Sequence, residues 1–308
     1  MTDALLDHAE RSIAVGSKSF AAASRLFDAD TRRSAVMLYA WCRHCDDVID
    51  GQQLGFGQQA SDTPPSRARL EQLLAATQAL YAGAAPSEPA FAALGQVVAQ
   101  HGIPQRYPLE HLAGFRMDVE QRRYRQFEDT LEYCYHVAGV VGVMMAMLMG
   151  VRDEQVLDHA CDLGMAFQLT NIARDIVEDA GAGRVYLPEQ WLAELGVAPD
   201  QLAAPRHRAA IAQLARRLVM AAEPYYASAA QGLAALPLRS AWAIATARGV
   251  YRQIGVKVQA RGAHAWDRRV STSRLDKLRL VGLGGLQALG SRAITPQPRP
   301  SGLWTRPR

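Results

Sequence analysis

Tyr39-Ala40-Trp41-Cys42-Arg43-His44-Cys45-Asp46-Asp47-Val48-Ile49-Asp50 puts three carboxylates into the last five residues of a stretch that otherwise reads as an enclosed helix. Asp46 and Asp50, four apart, share a face, and Asp47 sits about 100° around the wheel. Like charges at this spacing repel, and the C-terminal end of a helix disfavours them further, so the cluster asks for a cation or an arginine. The neighbouring Met37, Leu38, Tyr39, Trp41 and Val48 argue against a solvated polar face. A site with its own counter-charge is the better reading.

A second stretch repeats the theme: Gln168-Leu169-Thr170-Asn171-Ile172-Ala173-Arg174-Asp175-Ile176-Val177-Glu178-Asp179. Positions 168, 171, 175 and 178 or 179 advance by three, four and three or four, so one helix stripe carries two amides and two carboxylates. Such oxygen-rich stripes suit Mg²⁺, which takes oxygen ligands and shares them with phosphate and water. Either stripe alone is a weak signal. Placed on two helices of one bundle, they can face each other across a cavity with metal and a diphosphate between them.

Working outward, helical spacing recurs through the chain without a convincing alternating strand pattern, which predicts an all-α single-domain bundle. The predicted helices run from about Asp3 to Phe27, from Asp30 or Thr31 to Asp50, and over 66–83, 87–101, 108–121, 128–150, 153–180, 188–195, 206–236, 238–262 and 273–289. Residues 51–66, with three glycines and two prolines, read as an exposed loop, and Gly181 to Pro188 as a second break. Residues 1–290 are expected to be one domain and 291–308, with four prolines and four arginines, a flexible basic tail.

The 308 residues, 49% hydrophobic and 21% charged, exclude wholesale disorder. The longest uncharged apolar run, 137–151, is short of a spanning helix, and the N-terminus lacks a signal-peptide pattern, so a cytoplasmic protein is expected. Cys42, Cys45, Cys134 and Cys161 read as thiols, since no second pair completes a zinc site around Cys42-x-x-Cys45. The net charge of +4 is polarised: residues 239–308 hold 14 basic and 2 acidic residues, leaving −8 on residues 1–238. That basic segment suits phosphate groups or anionic lipid, and no motif for nucleic-acid binding accompanies it.

The chain resembles the squalene/phytoene synthase family of head-to-head prenyltransferases. The resemblance rests on five motifs in order: Ser17-Lys18-Ser19-Phe20; Asp46-Asp47-x-x-Asp50 with Tyr39, Cys42 and Arg43; Tyr133-Cys134-Tyr135-His136-Val137-Ala138-Gly139; Asn171-x-x-Arg174-Asp175-x-x-x-Asp179; and Arg184-x-Tyr186-Leu187-Pro188. The stretch from Tyr251 through Arg268-Arg269 to Lys277 adds to it. It implies an isoprenoid synthase fold with a central apolar cavity, in which Asp46, Asp50, Asp175 and Asp179 bind diphosphate through Mg²⁺, or Mn²⁺ in its place. Asn171 and Gln168 complete that shell. Arg43, Arg174, Arg184 and either Arg268 or Arg269 contact the diphosphate directly, since guanidinium forks match phosphate oxygens. Ser17, Ser19, Phe20 and Tyr39 border substrate, while Tyr133 and Tyr251 attend the cationic intermediates or the departing diphosphate.

The implied reaction joins two geranylgeranyl diphosphates through the cyclopropyl intermediate prephytoene diphosphate to phytoene, without NADPH. Arginines and metal stabilise the leaving group, and an apolar, dry pocket protects the carbocation. The run 137–149, rich in small and flexible residues, leaves a channel on one face and packs on the other. Further implications are peripheral contact with lipid at the inner face of the cell membrane, through the tail and Trp304, and contact with neighbouring carotenoid-pathway enzymes. The rivals are a C15-using squalene or dehydrosqualene synthase and a non-catalytic helical relative.

Overall fold

The computed structural model describes residues 6, 9–13, 18–51 and 66–308, with the backbone alone described at 18–20. All regular structure among them is helical. The main elements are α1 (Lys18–Ser24), α2 (Ala29–Asp50), α3 (Ser66–Tyr81), α4 (Pro89–His101), α5 (Arg106–Val119), α6 (Phe127–Cys134), α7 (Val140–Leu148), α8 (Glu154–Gly181), α9 (Glu189–Glu194), α10 (Arg208–Gln231), α11 (Leu238–Arg261) and α12 (Arg274–Gly290). From α2 onward these bounds follow the predicted segments within about five residues; of the segment predicted from Asp3 to Phe27, the described residues are helical at 6, 9–13 and 18–24, and the rest of its first half lies outside them. The loop expected at 51–66 lies, over 52–65, outside the described residues.

Helix α2, which carries the first acidic cluster, starts earlier than its sequence suggests. Asp28, not Asp30 or Thr31, is the N-cap, and its carboxylate accepts from the Thr31 amide at 2.9 Å. The helix stops at Gly51, whose φ of 64° is the left-handed conformation a glycine adopts without a Cβ clash. From α3, Arg69 Nη2 donates to the Ile49 carbonyl at 2.6 Å, so one exposed helix-end acceptor beside the carboxylates is answered by a cation.

Helix α8 is the axis of the bundle, with α7, α10 and α11 packed around it. Its contact with the α6–α7 rod is close because glycines line it. A Cβ on Gly142 would lie 2.3 Å from the Ala160 carbonyl oxygen, and one on Gly164 would lie 2.1 Å from that of Ala138. Between α6 and α7 the chain makes a π turn over Tyr135–Gly139. The extra residue frees a carbonyl, and the His136 oxygen accepts from His111 Nδ1 at 3.1 Å. The 127–148 rod is long and apolar enough to cross a bilayer, but 67% of that apolar stretch is buried inside the protein, as befits a core helix.

Residues 291–308 depart from the predicted flexible tail. They run as an irregular strap against α8 and α10. Arg299 Nε and Nη2 each donate to the wholly buried Asp162 carboxylate at 2.8 Å, and Ser228 Oγ donates to the same group at 2.5 Å. Arg306 is buried, pairing with Asp158 at 2.7 Å and also with Glu154, while Arg308 reaches Asp158 at 2.9 Å. Trp304 is no exposed anchor: its ring packs on Tyr135 with centroids 4.9 Å apart. Charge pairing across 137 to 152 residues of sequence thus overrides the disorder that proline-rich, arginine-rich composition suggests.

Candidate active site

A cavity of about 880 Å³ lies among α2, α7, α8, α10 and α11. Its long walls are apolar. Val137, Ala138, Val141, Gly142, Met145, Ala146 and Met149 line it along one face of the central rod, while Val140, Val143, Met144 and Met147 pack into the core. Both uses expected for the 137–149 run are therefore present, on different faces. His111 is part of this wall; burial lowers its pKa to about 4, leaving a neutral ring.

One end of the cavity is polar, lined by Arg43, Gln168, Asn171, Arg174, Glu178 and Arg269. Tyr39 and Tyr251 stand with them, and the Tyr251 ring stacks on Phe167 at 4.1 Å. Behind the lining arginines sit the carboxylates of both acidic stretches. Arg43 bridges Asp46 at 2.8 Å and Asp47 at 2.5 Å. Arg174 forks onto Asp175 with contacts of 2.8 and 2.5 Å, and Arg269 spans Asp175 at 3.0 Å and Glu178 at 2.7 Å. Of the adjacent arginines, both exposed, Arg269 lines the cavity and Arg268 does not.

Arg184, in the turn after α8, connects the two stretches. It hydrogen-bonds to Asp50 with both terminal nitrogens and lies within electrostatic reach of Asp46, Asp118 and Asp179. Burial opposes its charge, but the hydrogen bond to Asp50 and the charges of Asp50 and Asp118 outweigh that, so its pKa stands above the ordinary arginine value. Burial pushes Asp179 up to about 7, with Asp175 adding to the rise and Arg184 opposing it. Asp46 is likewise raised by burial to about 6, against the pull of Arg43 and with Asp50 and Asp47 pushing the same way. Both stretches end helices, where the dipole adds to the crowding of negative charge.

Sequence reasoning missed Asp118, and it placed Tyr186 in the Arg184 motif without a role. Asp118, near the end of α5, accepts from Tyr186 at 3.0 Å and Tyr133 at 3.2 Å. Burial raises it to about 6, against the lowering by Arg184 and by the two tyrosine bonds. Tyr133 is consequently not on the cavity wall: it stacks on Tyr186 at 4.4 Å and is buried behind the arginine turn. Its hydroxyl holds Asp118 rather than facing the cavity. Asn171 Nδ2 donates to Gln168 Oε1 at 3.3 Å, as their three-residue spacing suggests. Ser17 lies outside the described residues, and the side chains of Ser19 and Phe20 are not described.

The donor set fits a divalent ion that prefers oxygen. The Asp179 carboxylate accepts no hydrogen bond from the described residues, and its pKa is raised first by burial and then by the charge of Asp175. No three acidic, histidine or cysteine side chains among the described residues gather into a closed cage. Mg²⁺ needs none, because it is held by one or two carboxylates plus phosphate oxygens and water.

Residues 13–276 match the squalene/phytoene synthase family. A 15-cis-phytoene synthase from Pantoea ananas is 60% identical over 305 residues, covering 98% of each chain. A phytoene synthase from Pseudescherichia vulneris is 57% identical over 303 residues, again with 98% of each chain covered. Among solved structures, a dehydrosqualene synthase in complex with ligand superposes with a TM-score of 0.83 at 27% identity, covering 94% of this chain and 98% of that one.

Proposed function

The chain belongs to the squalene/phytoene synthase family and is an enzyme of the prenyltransferase type, and on that premise we propose that it joins two geranylgeranyl diphosphates into phytoene. The observation that carries this reading is the cavity itself: an apolar chamber lined at one end by three arginines, with Arg184 and two acidic helix ends beside them. Such a chamber suits a ligand that is hydrocarbon at one end and diphosphate at the other.

Asp46, Asp50, Asn171, Asp175 and Asp179 would hold Mg²⁺ or Mn²⁺, which when bound supplies the positive charge that stabilises a departing diphosphate. The chain's own part is to bind, orient and keep dry. Arg43, Arg174, Arg184 and Arg269 present guanidinium forks to phosphate oxygens. Each is tied to a carboxylate, so diphosphate binding exchanges partners rather than creating them. Tyr39, Tyr251 and Phe167 offer aromatic faces beside the point where an allylic carbon becomes cationic. The methyl and thioether walls beyond them exclude water, which would quench a carbocation at once.

The first ionisation releases one diphosphate, the allylic cation adds to the allylic double bond of the second substrate, and loss of a proton closes the ring to give a cyclopropylcarbinyl diphosphate. The second releases another, and the rearranged cation loses a proton, so no hydride donor and no NADPH is consumed. An insoluble product and an amphiphilic substrate place the enzyme at the inner face of the cell membrane, in contact with lipid and near the carotenoid-pathway enzymes that take up the hydrocarbon. Purified protein incubated with Mg²⁺ and either the C20 or the C15 diphosphate tests the assignment. Phytoene from the C20 substrate without NADPH is expected. A C30 product made in preference to phytoene would transfer the chain to the squalene or dehydrosqualene branch.

A further inference from the structure

Helix α12 is apolar on two opposite sides, and the protein covers only one. Leu280, Gly284 and Ala288 face inward onto α11. The fit is close: a Cβ on Gly284 would lie 2.5 Å from Thr246 Oγ1, and Trp242 Nε1 donates to the Val281 carbonyl at 2.7 Å. On the outer side, Leu275, Leu278, Leu286 and Leu289 are between 59% and 79% exposed. At 3.6 residues per turn these four fall within an arc of about 80°, a continuous stripe along a helix about 25 Å long. Leu283 and Ile294 add exposed apolar surface at its margin and beyond its end. A helix apolar all round is ordinarily buried all round.

We propose that this outer leucine face is a docking surface for an anionic lipid bilayer. The charges around it select that occupant. Arg274 and Arg279 flank the stripe on either side, exposed and without an ion pair among the described residues, and the exposed Arg292 follows its end. The one acidic residue of the helix, Asp276, is already matched by Lys257 Nζ at 2.5 Å and caps the helix start through Ser273. A second copy docked face to face would bring two basic rims together with no carboxylate to answer them. A bilayer containing anionic headgroups meets both features, taking leucines into the acyl boundary and arginines at the headgroups. The choice of lipid over protein also rests on the reading of substrate and product as prenyl lipids. The face is well placed for them, since α11, on which α12 is mounted, lines the cavity with Ile244, Ala247 and Tyr251. The strap that carries Trp304, by contrast, is occupied with α8.

The test is co-sedimentation of the full chain with vesicles of phosphatidylcholine alone and of phosphatidylcholine mixed with phosphatidylglycerol. The wild type is expected to bind the anionic vesicles more tightly, with the difference shrinking in high salt. Leu278→Gln combined with Leu286→Gln should weaken that binding roughly tenfold or more, because two side chains that would enter the acyl boundary become polar. Its melting temperature and detergent-assayed hydrocarbon synthesis should stay at wild-type values, both positions being exposed. Arg274→Gln with Arg279→Gln should reduce the preference for anionic vesicles and leave the weaker neutral binding. Wild-type protein that binds neither vesicle, or a leucine variant that binds as the wild type does, overturns the proposal. So does a leucine variant whose only change is from dimer to monomer in solution, which would assign the face to a second copy. Vesicle binding needs no substrate, so a protein that binds through this face yet makes no phytoene would overturn the reaction assignment and not the surface.

Discussion

Replacing Arg299 with glutamine tests whether the strap is held as the structure has it. Asp162 is fully removed from solvent and receives two hydrogen bonds from Arg299 and one from Ser228. Glutamine can return one hydrogen bond but no charge, so the variant keeps a buried carboxylate with no cation beside it. Removing one partner of a buried ion pair costs about 3–5 kcal/mol. Arg299 retains 19% of its side-chain exposure, which lets water approach the gap and favours the lower end, about 3 kcal/mol. For a chain of this size each kcal/mol moves the melting temperature by roughly 2–3 °C, so a fall of roughly 6–9 °C is expected. Circular dichroism melts at one scan rate measure it. Arg308→Gln, at the 59% exposed end of the same strap, should change the melt by less than about 1 kcal/mol. Adding Asp162→Asn to Arg299→Gln should restore part of the loss, because the stranded charge is gone. If Arg299→Gln melts within about 1 °C of wild type, the reasoning from an uncompensated buried charge fails, and the tail is as loose as its composition suggests.

Asp46→Asn and Asp175→Asn should each lower hydrocarbon formation by about a hundredfold or more, since each removes a charge the site needs. Asp46→Asn relieves repulsion in its cluster and leaves Arg43 its bond to Asp47, so its melting temperature should be unchanged or raised, whereas Asp175→Asn takes the largely buried Arg174 from its partner and should lower it; an active Asp175→Asn enzyme would refute the two-cluster site. Asp118, with a native pKa of about 6, binds its proton more tightly folded than unfolded, so its contribution to stability falls as pH rises from about 4 to 6 and is level above. In metal-free buffer the melting temperature of wild type relative to Asp118→Asn should therefore decline across that window, and a constant difference would contradict the raised pKa. Gly164→Ala should cost at least about 1–3 kcal/mol, because the new methyl meets a backbone oxygen that no rotamer change can move. Gly282→Ala on α12, with nothing within 4 Å, should be neutral or stabilise by up to about 1 kcal/mol, as thermal melts of the pair would show.

The acidic helix ends were legible because carboxylates at three- and four-residue spacing stand out against apolar neighbours, and because a stripe on one helix is a local property of sequence. Asp118 carries no such mark. It is one acid in an amphipathic segment, and its role comes from Tyr133 and from Arg184 and Tyr186 of one turn, which converge on it from two other places in the chain. For the same reason Tyr133 was readable as part of a motif but not as a residue turned away from the cavity. Arg268 and Arg269 are equivalent in sequence, and the turn after α11 decides which of them points at Asp175 and Glu178. The strap was misread because composition reports a segment's own tendency to order, while its partners Asp158 and Asp162 sit more than 130 residues earlier.

The glycine seam between α7 and α8 bears on how this enzyme can adapt. Where Gly142 and Gly164 bring main chain against main chain, the wall of the chamber is built of peptide groups, which have no rotamers and no larger or smaller alternatives. Those two positions are closed to incremental remodelling, because the smallest possible enlargement already drives the helices apart. Changes in the length or shape of the hydrocarbon accommodated must then accumulate on the opposite walls, at positions such as Leu233, Leu236, Ile244 and Ile254, where one side chain can be exchanged for another without moving a helix. Drift among relatives with different products should therefore spare the seam at Gly142 and Gly164, which acts as the fixed template against which each new substrate is measured.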